Sequence, residues 1–200
     1  AAATGIPVYM PWLGKKAYDG IMAAYTAASR KNGKKYIPLI KNATQLHVIE
    51  KGAFCGVVLD GSYNLTEANY KTSLQNLVDR VLITDKDGNQ IGVVEDTAAQ
   101  QKYGVVQTVY KQEDGKDAQT EAKALLQTLE QTGSVTGCPG DSRAVSGYAL
   151  IVQETTTGLF GKFYIESDTH TFTDGKHEMA LTLAFSNMMD EKEIENQSQG

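Results

Sequence analysis

The spacing of apolar residues near the start of the chain predicts a helix followed by a hairpin. Between residues 15 and 31, apolar and small residues recur at the i, i+4 and i+7 spacing of one helical face. Asn32-Gly33 then forms a typical helix end. Two short apolar runs follow, at 36–40 and 46–49, separated by a polar turn segment. The apolar positions of the helix are Ala17, Ile21, Ala24, Tyr25 and Ala28.

The middle of the chain is rich in strand-forming residues. Residues 78–84 and 90–94 are joined across Asp85-Lys86-Asp87-Gly88-Asn89. Because the Asp-Gly and Gly-Asn steps favour a tight reversal, these residues predict a hairpin. A brief helix that Thr97 caps and Gly104 ends is expected next, followed by a strand over 105–110.

Helical periodicity returns over residues 117–131. Asp117 is a suitable N-terminal cap, and Gln119, Lys123 and Gln127 face away from the apolar side. The pattern therefore predicts a helix that packs its apolar side onto a sheet. That side carries Ala118, Ala122, Leu125, Leu126 and Leu129.

Alternating apolar residues near the end of the chain predict a second hairpin and its register. A two-residue loop at Asp174-Gly175 would put Phe163 and Ile165 on the opposite face from Leu181 and Leu183, since one step of register reverses every side chain. A three-residue loop, Thr173 to Gly175 with Gly175 left-handed in a bulge, keeps all four on one face. This second register is the prediction. It sets Phe185 opposite Phe163, Leu183 opposite Ile165 and Leu181 opposite Ser167.

Together these elements predict an α+β protein. The expected organisation is a small helix-plus-hairpin unit over residues 1–61, then an antiparallel β-barrel or sandwich over 62–189 with the helix 117–131 packed against it. A polar tail, 190–200, is expected at the end.

Composition and charge exclude several classes of function. The formal net charge of −5 provides no basic face for a phosphate backbone, so specific nucleic-acid binding is not expected. Apolar runs stay well short of the ~20 residues that a membrane span needs, and the start of the chain lacks a signal-peptide layout. Cys55 and Cys138 lie outside any metal-ligand spacing and are predicted to be free thiols. A soluble protein without disulfides is expected.

Gly140-Asp141-Ser142 followed by Asp174-x-x-His177 is similar to the nucleophile and Asp-x-x-His blocks of GDS-type esterases. Those enzymes need most of a parallel α/β sheet between the serine and the histidine, whereas only a few strands intervene here. Asp174 also has a turn-forming role at the hairpin tip. A hydrolase using Ser142 or His177 is therefore a minor alternative.

Asp168, His170 and His177 are the candidate metal ligands. In the predicted register His170 lies opposite Glu178 and His177 lies opposite Thr171, so the two imidazoles point to opposite sides of the sheet. They could not share one ion, and no metal site is predicted. No phosphate-cradling glycine motif occurs, and no cofactor is predicted.

The C-terminal hairpin resembles the end of the XkdQ/YqbQ-type prophage tail proteins. The resemblance rests on Phe163-Tyr164-Ile165-Glu166-Ser167-Asp168-Thr169-His170-Thr171-Phe172, then Gly175, His177, Met179, Leu181 and Leu183. Further segments agree in order and extend the similarity over roughly residues 12–190. They are Gly33-Lys34-Lys35-Tyr36, residues 46–51, Ile83 with 85–88, Lys102-Tyr103-Gly104-Val105-Val106-Gln107 and the helix through 122–129.

This resemblance implies a structural, non-enzymatic part of a phage or prophage tail, a baseplate hub joining the tail tube to the central spike. It implies a homotrimer in the full-length protein, with tail-tube, tape-measure and spike or baseplate proteins as partners. It also implies assembly in the bacterial cytoplasm before incorporation into a virion tail or tail-like particle. The family usually has another β domain ahead of this region, and a missing N-terminal domain is expected from the start at Ala1.

Two other functions remain open from the sequence. The first is a cell-wall or glycan-binding module of a tail-associated protein, which would need an exposed aromatic groove. The second is the hydrolase described above, with Ser142 as its nucleophile. Peptidoglycan binding would identify the first, and turnover of esters lost on Ser142→Ala would identify the second.

Overall fold

The computed structural model describes residues 1–9 and 16–193. Contacts divide the chain into two compact units, residues 1–70 with 132–200, and residues 71–131. We call them unit 1 and unit 2. The helix start expected at Lys15, the beginning of the family resemblance at residue 12 and the tail from 194 onward lie outside the described residues.

Unit 1 begins with the predicted helix and hairpin, which are confirmed. Helix α1 (Ala17–Asn32) ends at Gly33, whose positive φ of 73° lets its N–H donate to Ser29 O. Strands β1 (Tyr36–Lys41) and β2 (Gln45–Glu50) pair antiparallel. The helix packs on the hairpin through a small apolar cluster that includes Ala28, Tyr36, Val48, Ile21 and Tyr25.

The larger part of unit 1 is a six-stranded sheet with the order β3-β9-β10-β11-β8-β4. Its main core is a cluster of buried aliphatic and aromatic side chains to which most of these strands contribute. The β3–β9 pair is parallel, while β10 pairs antiparallel with both of its neighbours. The strands are β3 (Phe54–Asp60), β4 (Glu67–Ser73), β8 (Glu130–Pro139), β9 (Ala149–Gln153), β10 (Phe160–Thr173) and β11 (Lys176–Ala184).

Unit 2 contains a three-stranded sheet and two short helices. Strands β5 (Arg80–Thr84) and β6 (Gln90–Glu95) form the predicted hairpin, and β7 (Gln107–Lys111) pairs parallel with β5. Helix α2 (Thr97–Tyr103) is capped by Asp96 rather than by the expected Thr97. Helix α3 (Ala118–Ala124) is capped by Asp117, as expected, and packs onto the sheet through the buried Ala122.

The helix predicted over 117–131 is too long. Helix α3 ends at Ala124, and Gln127 instead forms two backbone hydrogen bonds with Val78, of 2.9 and 3.0 Å. Residues from Glu130 onward belong to β8. Strand pairing therefore overrides the helical periodicity of Leu125, Leu126 and Leu129. Leu126 still packs against the core of unit 2.

The predicted α+β class is confirmed, with antiparallel sheets and three helices. Strands in the described part of the chain form three open, sandwich-like sheets rather than a closed barrel. The two compact units do not follow the expected domain limit between residues 61 and 62. Strand β3 pairs with β9, so residues 1–70 belong to the same unit as residues 132–200. None of the helices described is long and apolar enough to cross a bilayer.

The loop of the C-terminal hairpin has two residues, so the predicted three-residue loop is wrong. Asp174 and Gly175 have φ values of 50° and 75°, the pair of positive angles that a type I′ turn needs, and Thr173 pairs directly with Lys176. A bulge between Ile165 and Ser167 then shifts the alternation of β10 by one residue. Both arms therefore still bury one face.

This bulge accounts for the part of the predicted register that is confirmed. Ile165 does pair with Leu183, and Phe163 contacts Phe185 edge to face with ring centroids 5.1 Å apart. Leu181, however, lies opposite Asp168 and not opposite Ser167.

Gly175→Val is expected to lower the free energy of unfolding by about 1 kcal/mol or more, because a β-branched residue is strained at positive φ. Thr173→Val, at an exposed extended position in the same hairpin, is the matched control and is expected to change stability little. Chemical denaturation measures both variants. Equal stability of the two variants would contradict the left-handed conformation of Gly175.

Candidate functional site

The tip of the β10–β11 hairpin brings together residues that the sequence singled out. With the two-residue turn, His170 pairs with Met179 and His177 pairs with Phe172. Alternate residues of a strand share a face, so both histidines lie on the same face of the hairpin. The expected pairings with Glu178 and Thr171, and the expected separation of the two imidazoles, are wrong. They rested on the three-residue loop.

The two imidazoles contact each other directly. Nδ1 of His170 lies 2.9 Å from Nε2 of His177, and the ring centroids are 5.1 Å apart. The other ring nitrogen of His170, Nε2, lies 3.1 Å from the carbonyl oxygen of Ala144. At this distance the two histidines form a hydrogen bond in which one ring donates and the other accepts.

Asp168 completes the polar side of the cluster. Its Oδ2 lies 3.6 Å from Nε2 of His170, and its Oδ1 accepts a hydrogen bond from the Ser146 backbone N–H at 2.6 Å. The side chain of His170 is only 15% exposed and that of Asp168 is 23% exposed. The cluster is therefore partly shielded from solvent. Electrostatic interactions are stronger in such a site than in water.

The ring of His177 is held by close packing. The ring of Phe172 stacks on it with centroids 4.1 Å apart and an angle of 17° between the planes. Gly140 lies on the ring so closely that a Cβ at this position would be 2.1 Å from Cγ and Cδ2 of His177. The backbone N–H of Gly140 also donates to His177 O at 2.7 Å. Residue 140 therefore has no room for a side chain.

Ser142 does not share this environment. It is exposed and lines a groove that Asp168 also lines, while His177 lines a different cavity. Nε2 of His177 is engaged by His170, and Asp174 forms the turn. The histidine and the aspartate of the esterase-like pattern thus have other roles in the fold.

Asp141 and Arg143 form a local turn beside Ser142. Hydrogen bonds from the Arg143 side chain and backbone N–H lower the pKa of Asp141 to about 2. The Arg143 guanidinium donates to both carboxylate oxygens of Asp141, at 2.7 and 3.0 Å. A carboxylate held in this way is ionised at neutral pH and poorly suited to general-base catalysis.

The geometry gives no metal centre in the part of the chain that the structure describes. Over residues 1–9 and 16–193, no group of three or more His, Cys, Asp or Glu side chains has a metal-binding arrangement. His170 and His177 bond to each other instead of turning toward a shared ion. Cys55 and Cys138 are free thiols, as predicted, and burial raises the pKa of both.

Large apolar side chains are exposed on both units. In unit 2, Ile91 and Val109 are 50% and 54% exposed, and Val93 and Leu82 lie between them on the face of the sheet opposite the core. In unit 1, Phe160 is 65% exposed and Phe172 is 72% exposed. Contiguous exposed apolar side chains are typical of protein interaction surfaces.

A groove of about 650 Å³ opens on unit 1 between the β1–β2 hairpin and the start of β3. Aliphatic and aromatic side chains dominate its walls, with a few polar groups between them. The lining includes Leu39, Ile40, Phe54, Tyr148, Ser142 and Asp168.

Sequence reasoning missed Gly140, the carbonyl of Ala144 and the bulge at Glu166. The sequence did contain one signal for the bulge. The apolar residues Phe163 and Ile165 have odd numbers, whereas the next large apolar residue of the same strand, Phe172, has an even number. A change of parity within one strand indicates a bulge. The contact between the histidines follows from the two-residue turn, and the bulge makes this turn compatible with the burial of Phe163 and Ile165.

Comparison with known families identifies one family. The YQBQ-like family model matches residues 3–184. The phage-like element PBSX protein XkdQ of Bacillus subtilis (strain 168) is 26% identical over 145 residues, which cover 67% of this chain and 44% of XkdQ. The chain thus spans less than half the length of this relative.

The fold is similar to that of a solved tail protein. The 43 kDa tail protein of prophage MuSo2 from Shewanella oneidensis has a TM-score of 0.53 and 14% identity, over 78% of this chain and 50% of that protein. A tail protein from Neisseria meningitidis MC58 gives a TM-score of 0.48 at 14% identity, over 82% of this chain and 54% of that one. Since the family model covers nearly the whole chain, the chain belongs to the YQBQ-like family.

Proposed function

We propose that this chain is a structural, non-enzymatic part of a phage or prophage tail and that it acts in the baseplate hub, where the tail tube meets the central spike. Homology to phage-like and prophage tail proteins supports a structural tail role. The observation that carries the proposal is the family match over residues 3–184.

The full-length protein is proposed to be a homotrimer whose partners are tail-tube, tape-measure and spike or baseplate proteins. It would assemble in the bacterial cytoplasm and then remain in the virion tail or tail-like particle. Exposed apolar residues such as Val109 and Phe160 support a role in which subunits of a larger particle bury these surfaces. The acidic net charge of −5 supports the proposal that the protein has no specific nucleic-acid partner.

The geometry at the predicted site residues also favours assembly over catalysis. A hydrolase would need Ser142 in hydrogen-bond reach of a free histidine nitrogen. In this fold His177 Nε2 is bonded to His170, and the nearby Asp141 is bonded to Arg143.

The proposal is tested by deleting the gene in a strain that produces the particle and restoring it from a plasmid. Without the gene, electron micrographs are expected to show few complete tails, since a hub is needed before the tube can grow. Both the wild-type gene and the Ser142→Ala variant are expected to restore complete tails.

Two results would contradict the proposal, and each points to one alternative. Complete tails that form without the gene but no longer adsorb to cell walls would indicate a glycan-binding module, for which Phe54 and Tyr148 in the unit 1 groove are the candidate contacts. Failure of a folded Ser142→Ala variant to restore tails would indicate that the serine has a chemical role.

A further inference from the structure

The contact between His170 and His177 exists in only some protonation states. Each ring nitrogen either carries a proton and donates or has a lone pair and accepts. Two nitrogens 2.9 Å apart therefore need one proton between them. If both rings are fully protonated, two N–H groups and two positive charges face each other, and the hydrogen bond is lost.

The carbonyl of Ala144 fixes the state of one nitrogen. A carbonyl oxygen can only accept, so Nε2 of His170 carries a proton in its 3.1 Å contact with Ala144 O. When His170 is neutral, its Nδ1 accepts from His177. When His170 is charged, its Nδ1 donates to a neutral His177. The pair is therefore compatible with one positive charge but not with two.

Charged groups around the pair favour the first added charge more than the second. Asp168 on β10 lies 3.6 Å from Nε2 of His170 and can balance an imidazolium there. On the connection between β8 and β9, Asp141 interacts electrostatically with His177 but is already paired with Arg143. On β11, Lys176 and Glu178 flank His177 with charges of opposite sign on the other face of the strand. Phe172 covers the ring without charge.

The pair lies where a chain segment is fastened to the hairpin. The connection between β8 and β9, residues 140–147, is held on the hairpin by five hydrogen bonds. Gly140 N–H donates to His177 O, Ala144 O accepts from the His170 ring, and Ser146 N–H donates to Asp168. Ser146 Oγ donates to Glu166 O, and Gly147 N–H donates to Ile165 O. One of these bonds, the contact with Ala144 O, is made by an imidazole, that of His170. A repulsion that moves the His170 ring therefore weakens the attachment of the connection at Ala144.

We propose that His170 and His177 form a proton-sensitive latch, which holds the connection 140–147 at Ala144 when at most one of the rings is charged and loosens it there when both are charged. Histidine is the side chain whose charge generally changes between about pH 5 and 8, so release is expected as the pH falls from 7.5 to 5. Release would also free Phe172, which stacks on His177 at the tip of the hairpin. This device does not rest on the proposed tail function.

Hydrogen exchange followed by mass spectrometry tests the latch, with rates corrected for the chemical dependence of exchange on pH. Protection of residues 140–147 is expected to fall about tenfold more than that of β9 between pH 7.5 and 5, the effect of losing roughly one hydrogen bond. His177→Phe keeps an aromatic ring beside Phe172 but removes the second charge, and its protection is expected not to change with pH. His47→Gln, which changes the remaining histidine, is the matched control and should respond like the wild type.

A wild type whose residues 140–147 keep their protection at pH 5 would overturn the proposal, as would an equal loss in His177→Phe. A second measurement needs no variant. The imidazole nitrogen shifts of His170 and His177 are expected to show two proton uptakes separated in pH, because one charge opposes the next. Two independent, superimposable titrations would also overturn the proposal.

Discussion

Deletion of Glu166 is expected to remove most of the stability of unit 1, although the side chain itself is exposed. Glu166 supplies the extra residue in the bulge between Ile165 and Ser167. Without it, β10 keeps a single alternation from end to end. Either Phe163 and Ile165, or Asp168 and His170, must then turn to the wrong side of the sheet.

The size of this effect follows from burial. Phe163 is 4% exposed and Ile165 is fully buried, and each contributes roughly 1.5–3 kcal/mol by leaving water. Loss of several kcal/mol is a large share of the 5–15 kcal/mol that is typical of a whole domain. Thermal and chemical denaturation followed by circular dichroism measure the loss.

Glu166→Ala is the matched control for the deletion, because it keeps the length of the strand. The hydrogen bond from Ser146 Oγ goes to the backbone oxygen of Glu166 and is retained in the variant. Its stability is expected to lie within about 0.5 kcal/mol of the wild type. If the deletion were as mild as the substitution, the bulge would not determine the register.

Gly140→Ala is expected to lower stability by about 1–3 kcal/mol, the usual range for adding an atom to a packed site. The new methyl group would lie 2.1 Å from the ring of His177, a distance that no pair of non-bonded carbon atoms can keep. Either the ring moves and loses its bond to His170, or the backbone moves and loses the bond from Gly140 N–H to His177 O.

A double-mutant cycle with His177→Ala isolates this clash. In the His177→Ala background the ring is gone, so Gly140→Ala is expected to be nearly neutral. The two substitutions should therefore be strongly non-additive, by roughly 1 kcal/mol or more in denaturation experiments. Simple additivity would mean that the glycine is needed for some reason other than the ring.

Local signals account for the elements that could be predicted from the sequence. The helix before Gly33, the β1–β2 hairpin and the hairpin across Asp85 to Asn89 each have their own stop or turn residues within a few positions. Such signals act without the rest of the fold. The cap of α3 at Asp117 belongs to the same group.

Elements that depend on distant partners could not be predicted in this way. The end of α3 is decided by the pairing of Gln127 with Val78, which is far away in sequence. The register of the C-terminal hairpin depends on a bulge at two polar residues, Glu166 and Ser167, and the change from odd to even numbers between Ile165 and Phe172 does not show where in between it lies. One error in loop length then placed His170 and His177 on opposite faces.

Interaction surfaces are equally hard to find from one sequence. Val109 and Phe160 lie in strands and look like core residues, yet they are 54% and 65% exposed. Burial is a property of the folded chain and of its partners, and hydrophobic character alone does not separate core from interface. The family resemblance, by contrast, could be recognised because an ordered set of segments persists along the chain.

Electron microscopy of purified particles that carry a gold-labelled copy of the full-length protein tests the proposed role most directly. Gold is expected at one end of the tail, where the tube meets the spike, in a number consistent with one small ring per particle. Gold along the whole tube, or particles that lack gold although the labelled protein restores assembly, would contradict a place in the baseplate hub.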